Sequence, residues 1–214
     1  MDNLLLYLQK HFGRRLVVSG DDGDLLVWGD RQGQAIRRRA FPGMVSNHHL
    51  GTLLGLLLSA IEMNAFKDAY QPQVIANAKA LARALKDAGL DVQGDPAVDF
   101  TETHQVIVKV GYAQGCEIAR RLEQNGIIVN YQAIPGDESF TSSSALRLGV
   151  AEMTRFGMKE GDFRALAPLF ADVVKSGRTV VEEVAKFREK FLKMHFCFEE
   201  GEMPSFRDKL LKTF

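Results

Sequence analysis

Few residues in this chain are grouped in ways that could do chemistry. Cys116 and Cys197 stand far apart and form no CxxC pair, so they read as reduced thiols, not as a bridge or a metal clamp. His48 and His49 are adjacent, and neighbours on a helix project about 100° apart. No third ligand lies near them at zinc spacing, and His195-Phe196-Cys197 is a lone His-x-Cys. No metal is expected. Arg147 lies in the string Ala145 to Val150, where Leu146 and Leu148 would turn to the opposite face of a strand. By residue type it is either a surface arginine paired with Glu152 or Asp162, or a planar guanidinium able to grip a carboxylate through two parallel hydrogen bonds. The hydroxyl-rich Ser139, Thr141 and Ser142–Ser144 precede that strand and read as loop solvation.

These residues need elements to hold them. Leu50, Leu53, Leu54, Leu57, Leu58 and Ile61 recur at helical spacing, with Ser46 or Asn47 as an N-cap, and predict a thoroughly buried helix. No obvious cover for its leucines exists in the remaining residues, so a partner surface is also expected there. A second helix is predicted from about Gln73 to Asp87, with Val74, Ala78, Leu81 and Leu85 inward and Gly89 as its stop. Val106–Val110 reads as a strand and Glu117–Gln124 as a helix. Ile127–Val129 and Ala145–Val150 read as two further strands. A helical stretch from Asp162 to about Phe191 is bent or divided at Ser176-Gly177. The order suggests a small α+β layer domain, a sheet covered on one face by helices. In residues 1–40, LVV could be a short strand and GDDGD is a turn cluster; this segment resembles the end of a domain more than a whole one. Phe191, Met194, Phe196 and Phe198 read as an apolar docking patch.

The 214 residues are 46% hydrophobic and 25% charged, the profile of a soluble globular protein. Lys plus Arg equals Asp plus Glu, so nothing favours nucleic acid or an acidic membrane as partner. The apolar run Leu50–Ile61 is too short to span a membrane, and the N-terminus makes a poor signal peptide. A cytoplasmic location is expected.

Five strings then stand in one order: RRRAFPGMVSNHHLGTLLGLL, YQPQVIANAKALARALKDAGLDV, THQVIVKV, NGIIVNYQAIPGDESF and ALRLGVAEMTRFGMKEGDF. Together they resemble the C-terminal part of the serine hydroxymethyltransferase family over roughly residues 36 to 175. The resemblance implies an α/β chain carrying the C-terminal domain of the aminotransferase-like fold of pyridoxal-phosphate (PLP) enzymes. It would be divided into a large-domain remnant (1–40), an interface helix (41–68), a small α+β domain (69–175) and a helical tail (176–214).

The family interconverts serine and glycine with tetrahydrofolate, using PLP as an electron sink. By resemblance, Arg147 binds the substrate carboxylate, with Arg155 and His104 in support, His104 as a structural histidine at a strand start. Ser46 and Asn47 replace a Gly-Gly pair that contacts the PLP phosphate of the neighbouring subunit. Gln132, in Asn130-Tyr131-Gln132, keeps an amide in the folate loop. The family's Thr-His-Lys segment has no counterpart, and Lys10 stands at about the distance of its cofactor lysine. A truncated or partial chain is therefore expected, homodimeric or paired with a full-length partner, and binding PLP weakly or not at all on its own. Two alternatives remain open: a non-catalytic interaction subunit, or another PLP enzyme of this fold such as a threonine aldolase.

Overall fold

The computed structural model describes residues 16–18, 25–27, 39–44, 49–199 and 201. The chain divides into two compact units, Met1–Ala65 with Phe198–Phe214, and Phe66–Cys197.

In the first unit, β1 (Leu16–Val18) and β2 (Leu25–Val27) pair antiparallel, Leu16 opposite Val27. The GDDGD turn cluster lies outside the described residues. Arg39–Met44 forms one wide π-type turn. Helix α1 begins at Leu50 and runs without interruption to Asp87. The carbonyl of His49 accepts the first helical bond from Leu53 N–H at 3.1 Å, so the cap position is His49. Ser46 and Asn47 lie outside the described residues.

Two expectations about this helix are corrected. The predicted pair of helices is one helix of 38 residues, continuous through Pro72. An interior proline forfeits a backbone bond and costs about 3 kcal/mol, an amount the buried Val74, Ala78, Leu81 and Leu85 further along readily offset. The predicted burial of the leucine-rich half also fails. Leu57 is buried, but Leu50 and Leu54 are 62% and 59% exposed and Met63 is exposed as well. By length and composition α1 is the one helix among the described residues long and apolar enough to cross a membrane.

The second unit is built on a four-stranded antiparallel sheet in the order β3-β4-β6-β5. Its strands are β3 (Asp91–Gln93), β4 (Gln105–Lys109), β5 (Asn130–Gln132) and β6 (Ala145–Gly149). Alternation decides its faces. Val92, Val106, Val108, Leu146 and Leu148 point inward. They meet Leu81 and Leu85 of α1, Ile118 and Leu122 of α2 (Gly115–Gln124), and Phe163 and Phe170 of α4 (Glu160–Ser176) in one core. Between β6 and α4 lies the short α3 (Ala151–Arg155). The long C-terminal helix is divided at Gly177, as expected, and α5 (Val181–Arg188) follows. Val180, Val184 and Phe191 join the core, and the Asn125 side chain accepts the Val180 N–H at 2.6 Å.

The strand predicted at Ile127–Val129 instead starts at Asn130. The chain there is still closing α2: Gly126 N–H donates to Glu123 O and Ile127 N–H to Leu122 O, both at 2.9 Å. This 6→1 closure needs a left-handed residue, supplied by Gly126 at φ +77°. Ile127 is therefore buried as the cap's hydrophobic contact, and Ile128 is left exposed.

Candidate functional site

The sheet face opposite the core is polar. Its register sets Arg147 of β6 between Ile107 of β4 and Asn130 of β5. The next row sets Ala145 between Lys109 and Gln132. Gln132 is thus a diagonal neighbour of Arg147, within reach of long side chains. Arg147, Lys109, the Asp91 carboxylate and the four amides of Gln93, Gln105, Asn130 and Gln132 share this surface.

Arg147 is half-buried, while its flanking Leu146 and Leu148 are buried on the other side. Neither sequence-suggested partner holds it. Asp162 instead accepts the Lys159 N–H at 2.9 Å in a capping box at the start of α4. Among the described residues no carboxylate pairs with Arg147. A partly desolvated guanidinium flanked by amides is a receptor for a carboxylate, which it can bind through two parallel hydrogen bonds.

The connection from β5 to β6 is organised by Asp137, which sequence reasoning missed. Ile134 to Asp137 forms a turn, Asp137 N–H donating to Ile134 O at 3.0 Å, with Pro135 at its second position and Gly136 at φ +101° at its third. This is a type II turn, and Pro-Gly is its sequence signal. The carboxylate accepts Ile134 N–H and Ser144 N–H, both at 2.9 Å, and the Ser144 hydroxyl. The Ser144 hydroxyl foremost, then the Ile134 amide, hold the Asp137 carboxyl below its ordinary value, with Lys109 adding to the effect. The hydroxyl-rich stretch is only partly solvation. Ser139 and Thr141 bond each other at 2.7 Å, whereas Ser143 and Ser144 are buried and support the strand.

His104 is exposed at the start of β4. Its carbonyl accepts Val150 N–H at 3.1 Å, and its ring lies 3.2 Å from the Gln105 amide. The ring also lies 4.0 Å from where a Cβ on Gly149 would stand, two residues along β6 from Arg147. Arg155, at the end of α3, is half-buried, and its carbonyl accepts His195 N–H at 2.6 Å. Its charge opposes the rise that burial imposes on the Tyr70 hydroxyl, which donates to Ala151 O at 3.0 Å.

A buried polar cluster beneath α3 also escaped the sequence. Asn77 donates to the Thr154 hydroxyl and to Met158 O, both at 2.8 Å, and accepts from Gln73.

The expected docking patch is corrected. Phe191 belongs to the core, and Phe196 packs on Tyr70 with ring centroids 5.3 Å apart. No cluster of three or more His, Cys, Asp or Glu able to hold a metal occurs among the described residues. Lys10, Ser46 and Asn47 lie outside those residues.

The serine hydroxymethyltransferase family model matches residues 30–170. The serine hydroxymethyltransferase of Archaeoglobus fulgidus is 42% identical over 82% of this chain and 41% of its own length. That of Methanothermobacter marburgensis is 39% identical over 85% of this chain and 44% of its own. The chain thus spans less than half the length of the curated relatives it matches. A crystal structure of L-threonine transaldolase from Pseudomonas fluorescens, in its internal aldimine state, has a similar fold. The likeness has a TM-score of 0.74 and 29% identity, covering 86% of this chain and 44% of that one. From the matched residues and the antiparallel sheet that carries Arg147, this chain belongs to the serine hydroxymethyltransferase family.

Proposed function

We propose that this chain forms the carboxylate-binding side of a PLP-dependent site that interconverts serine and glycine with tetrahydrofolate. The observation that carries this reading is Arg147, half-buried on an open polar face with no described protein carboxylate to neutralise it. That donor set fits the carboxylate of an amino-acid substrate. PLP, when bound, supplies an electron sink for the substrate's α-carbon. Lys10 is the candidate to carry it, and Ser46 and Asn47 are candidates for its phosphate.

Arg147 fixes the substrate carboxylate and so sets the orientation of the α-carbon. Asn130 and Gln132 present amides at the edge of the same face, where a folate ring with donors and acceptors is received. His104 braces the far end of β6, and Arg155 stiffens the turn after it. We read residues 1–40 as the end of the cofactor-binding large domain and 41–68 as an interface segment, with 69–175 the small domain and 176–214 its helical tail. The exposed leucines of α1 meet a partner chain, a second copy or a full-length relative, in the cytoplasm.

Arg147→Lys tests the reading in the chain assembled with the cofactor-binding half of a relative. Lysine keeps the charge but loses the planar fork, and a hydrogen bond to a charged group is worth roughly 1.5–3 kcal/mol. Glycine or serine affinity falls about tenfold or more, with PLP binding intact. His104→Gln is the control and lowers thermal stability instead. Unchanged amino-acid affinity in Arg147→Lys overturns the assignment. Borohydride trapping and peptide mapping decide whether Lys10 carries PLP. Cleavage of threonine without folate would favour an aldolase-type reaction, which the altered Asn130-Tyr131-Gln132 loop also permits.

A further inference from the structure

We propose that Asp137 is a positioning residue that sets the spacing between the amides of β5 and the guanidinium of Arg147 on β6. The inference rests on the reading of the Arg147 face as an amino-acid site. β5 is an edge strand of three residues joined to the rest of the sheet through β6, and such a short pairing is weak by itself. The connection between the two strands is closed by one side chain. A single Asp137 carboxylate oxygen accepts Ile134 N–H, just after β5, and Ser144 N–H, just before β6, each at 2.9 Å. The second oxygen takes the Ser144 hydroxyl.

Ser144 is fixed from the other side too. Its carbonyl accepts Val110 N–H at 2.8 Å, and the neighbouring Ser143 carbonyl accepts Gly115 N–H at 2.9 Å. A Cβ on Gly115 would stand 2.8 Å from Ser143 O and 2.9 Å from Ala145 O, so this side has no slack. Ser144 is therefore an anchor, and Asp137 ties the end of β5 to it. The charged groups near Asp137 are Lys109 of β4, which favours the carboxylate, and the adjacent Glu138. Without the tie, Asn130 and Gln132 lose their fixed distance from Arg147 while the β4–β6 pair and the core persist.

The test uses the isotope-labelled chain assembled with the cofactor-binding half of a relative, with two readouts. Amide hydrogen exchange reports the β5–β6 and β4–β6 ladders separately, and titration with glycine is followed at the Arg147 side-chain N–H resonance. Asp137→Ala is expected to lower protection of the β5–β6 ladder at least tenfold and glycine affinity at least tenfold, leaving the β4–β6 ladder protected. Asp137→Asn retains one carbonyl acceptor and falls between, and it serves as the variant if Asp137→Ala does not fold. Protection of the β5–β6 ladder within twofold of the unaltered chain overturns the proposal. So does loss of that protection with glycine affinity unchanged. If the unaltered chain shows no glycine response at Arg147, the amino-acid-site reading fails, and the exchange readout alone decides whether Asp137 holds the two strands together.

Discussion

The two halves of α1 are built from similar residue types and meet opposite fates. Val74, Ala78, Leu81 and Leu85 are buried almost completely, whereas Leu50, Leu54 and Met63 stand in the open. Helical periodicity reports that a face is apolar; it does not report what covers it. In the second half the cover is the sheet of the same unit. The first half presents to solvent a surface that a monomer rarely leaves bare.

The sharpest way to break this comparison is truncation in each half. Leu85→Ala is expected to cost about 2–5 kcal/mol in denaturant unfolding, because it opens a cavity in a packed core. Leu54→Ala should change the chain's own stability by no more than about 0.5 kcal/mol. Its effect should appear in light scattering at micromolar concentration, where the unaltered chain self-associates and the variant does so less. Equal unfolding costs at the two positions would mean that the first half is covered within the chain.

A smaller effect tests how the buried half tolerates a polar residue. Asn77→Ala leaves the Met158 carbonyl and the Thr154 hydroxyl short of a donor, at a cost of about 1–3 kcal/mol by thermal unfolding. The smallest effect is electrostatic. The Glu160 carboxyl is held below its ordinary value near 4.5, first by its own backbone N–H and then by the Gln73 amide of α1. A depressed carboxyl adds stability above its ordinary value, and that gain is lost as pH falls through the lower folded value. Stability should therefore decline below about pH 4.5, with Asp137 contributing in the same direction from 3.8 downward. Glu160→Gln should shrink the difference between unfolding midpoints at pH 7 and pH 3, by under about 1 kcal/mol at this partly exposed position.

Legibility followed the kind of signal each element carries. β4 was readable as a β-branched run, and β6 from the leucines that flank Arg147. The division at Gly177 was readable from its glycine. β5 was misplaced because Ile127 is apolar for the sake of a helix cap, and the pairing residues Asn130 and Gln132 are polar on an open face. β3 left no signal, being three residues with one buried valine. At the candidate site, the outward placement of Arg147 was legible from its leucine neighbours. Asp137 was not, since an aspartate after Pro-Gly looks like any turn residue until Ser144 is brought back beside it. Asn77 was hidden for a related reason: its partners, Thr154 and Met158, are distant in sequence.

Both margins of the sheet are three residues long and carry polar or charged side chains, Asp91 and Gln93 on β3 and Asn130 and Gln132 on β5. Short polar margins give an incoming strand little backbone to template on, which guards against fibrous stacking of sheet on sheet. If copies of this chain gather in solution, these margins would disfavour open-ended growth through β3 or β5.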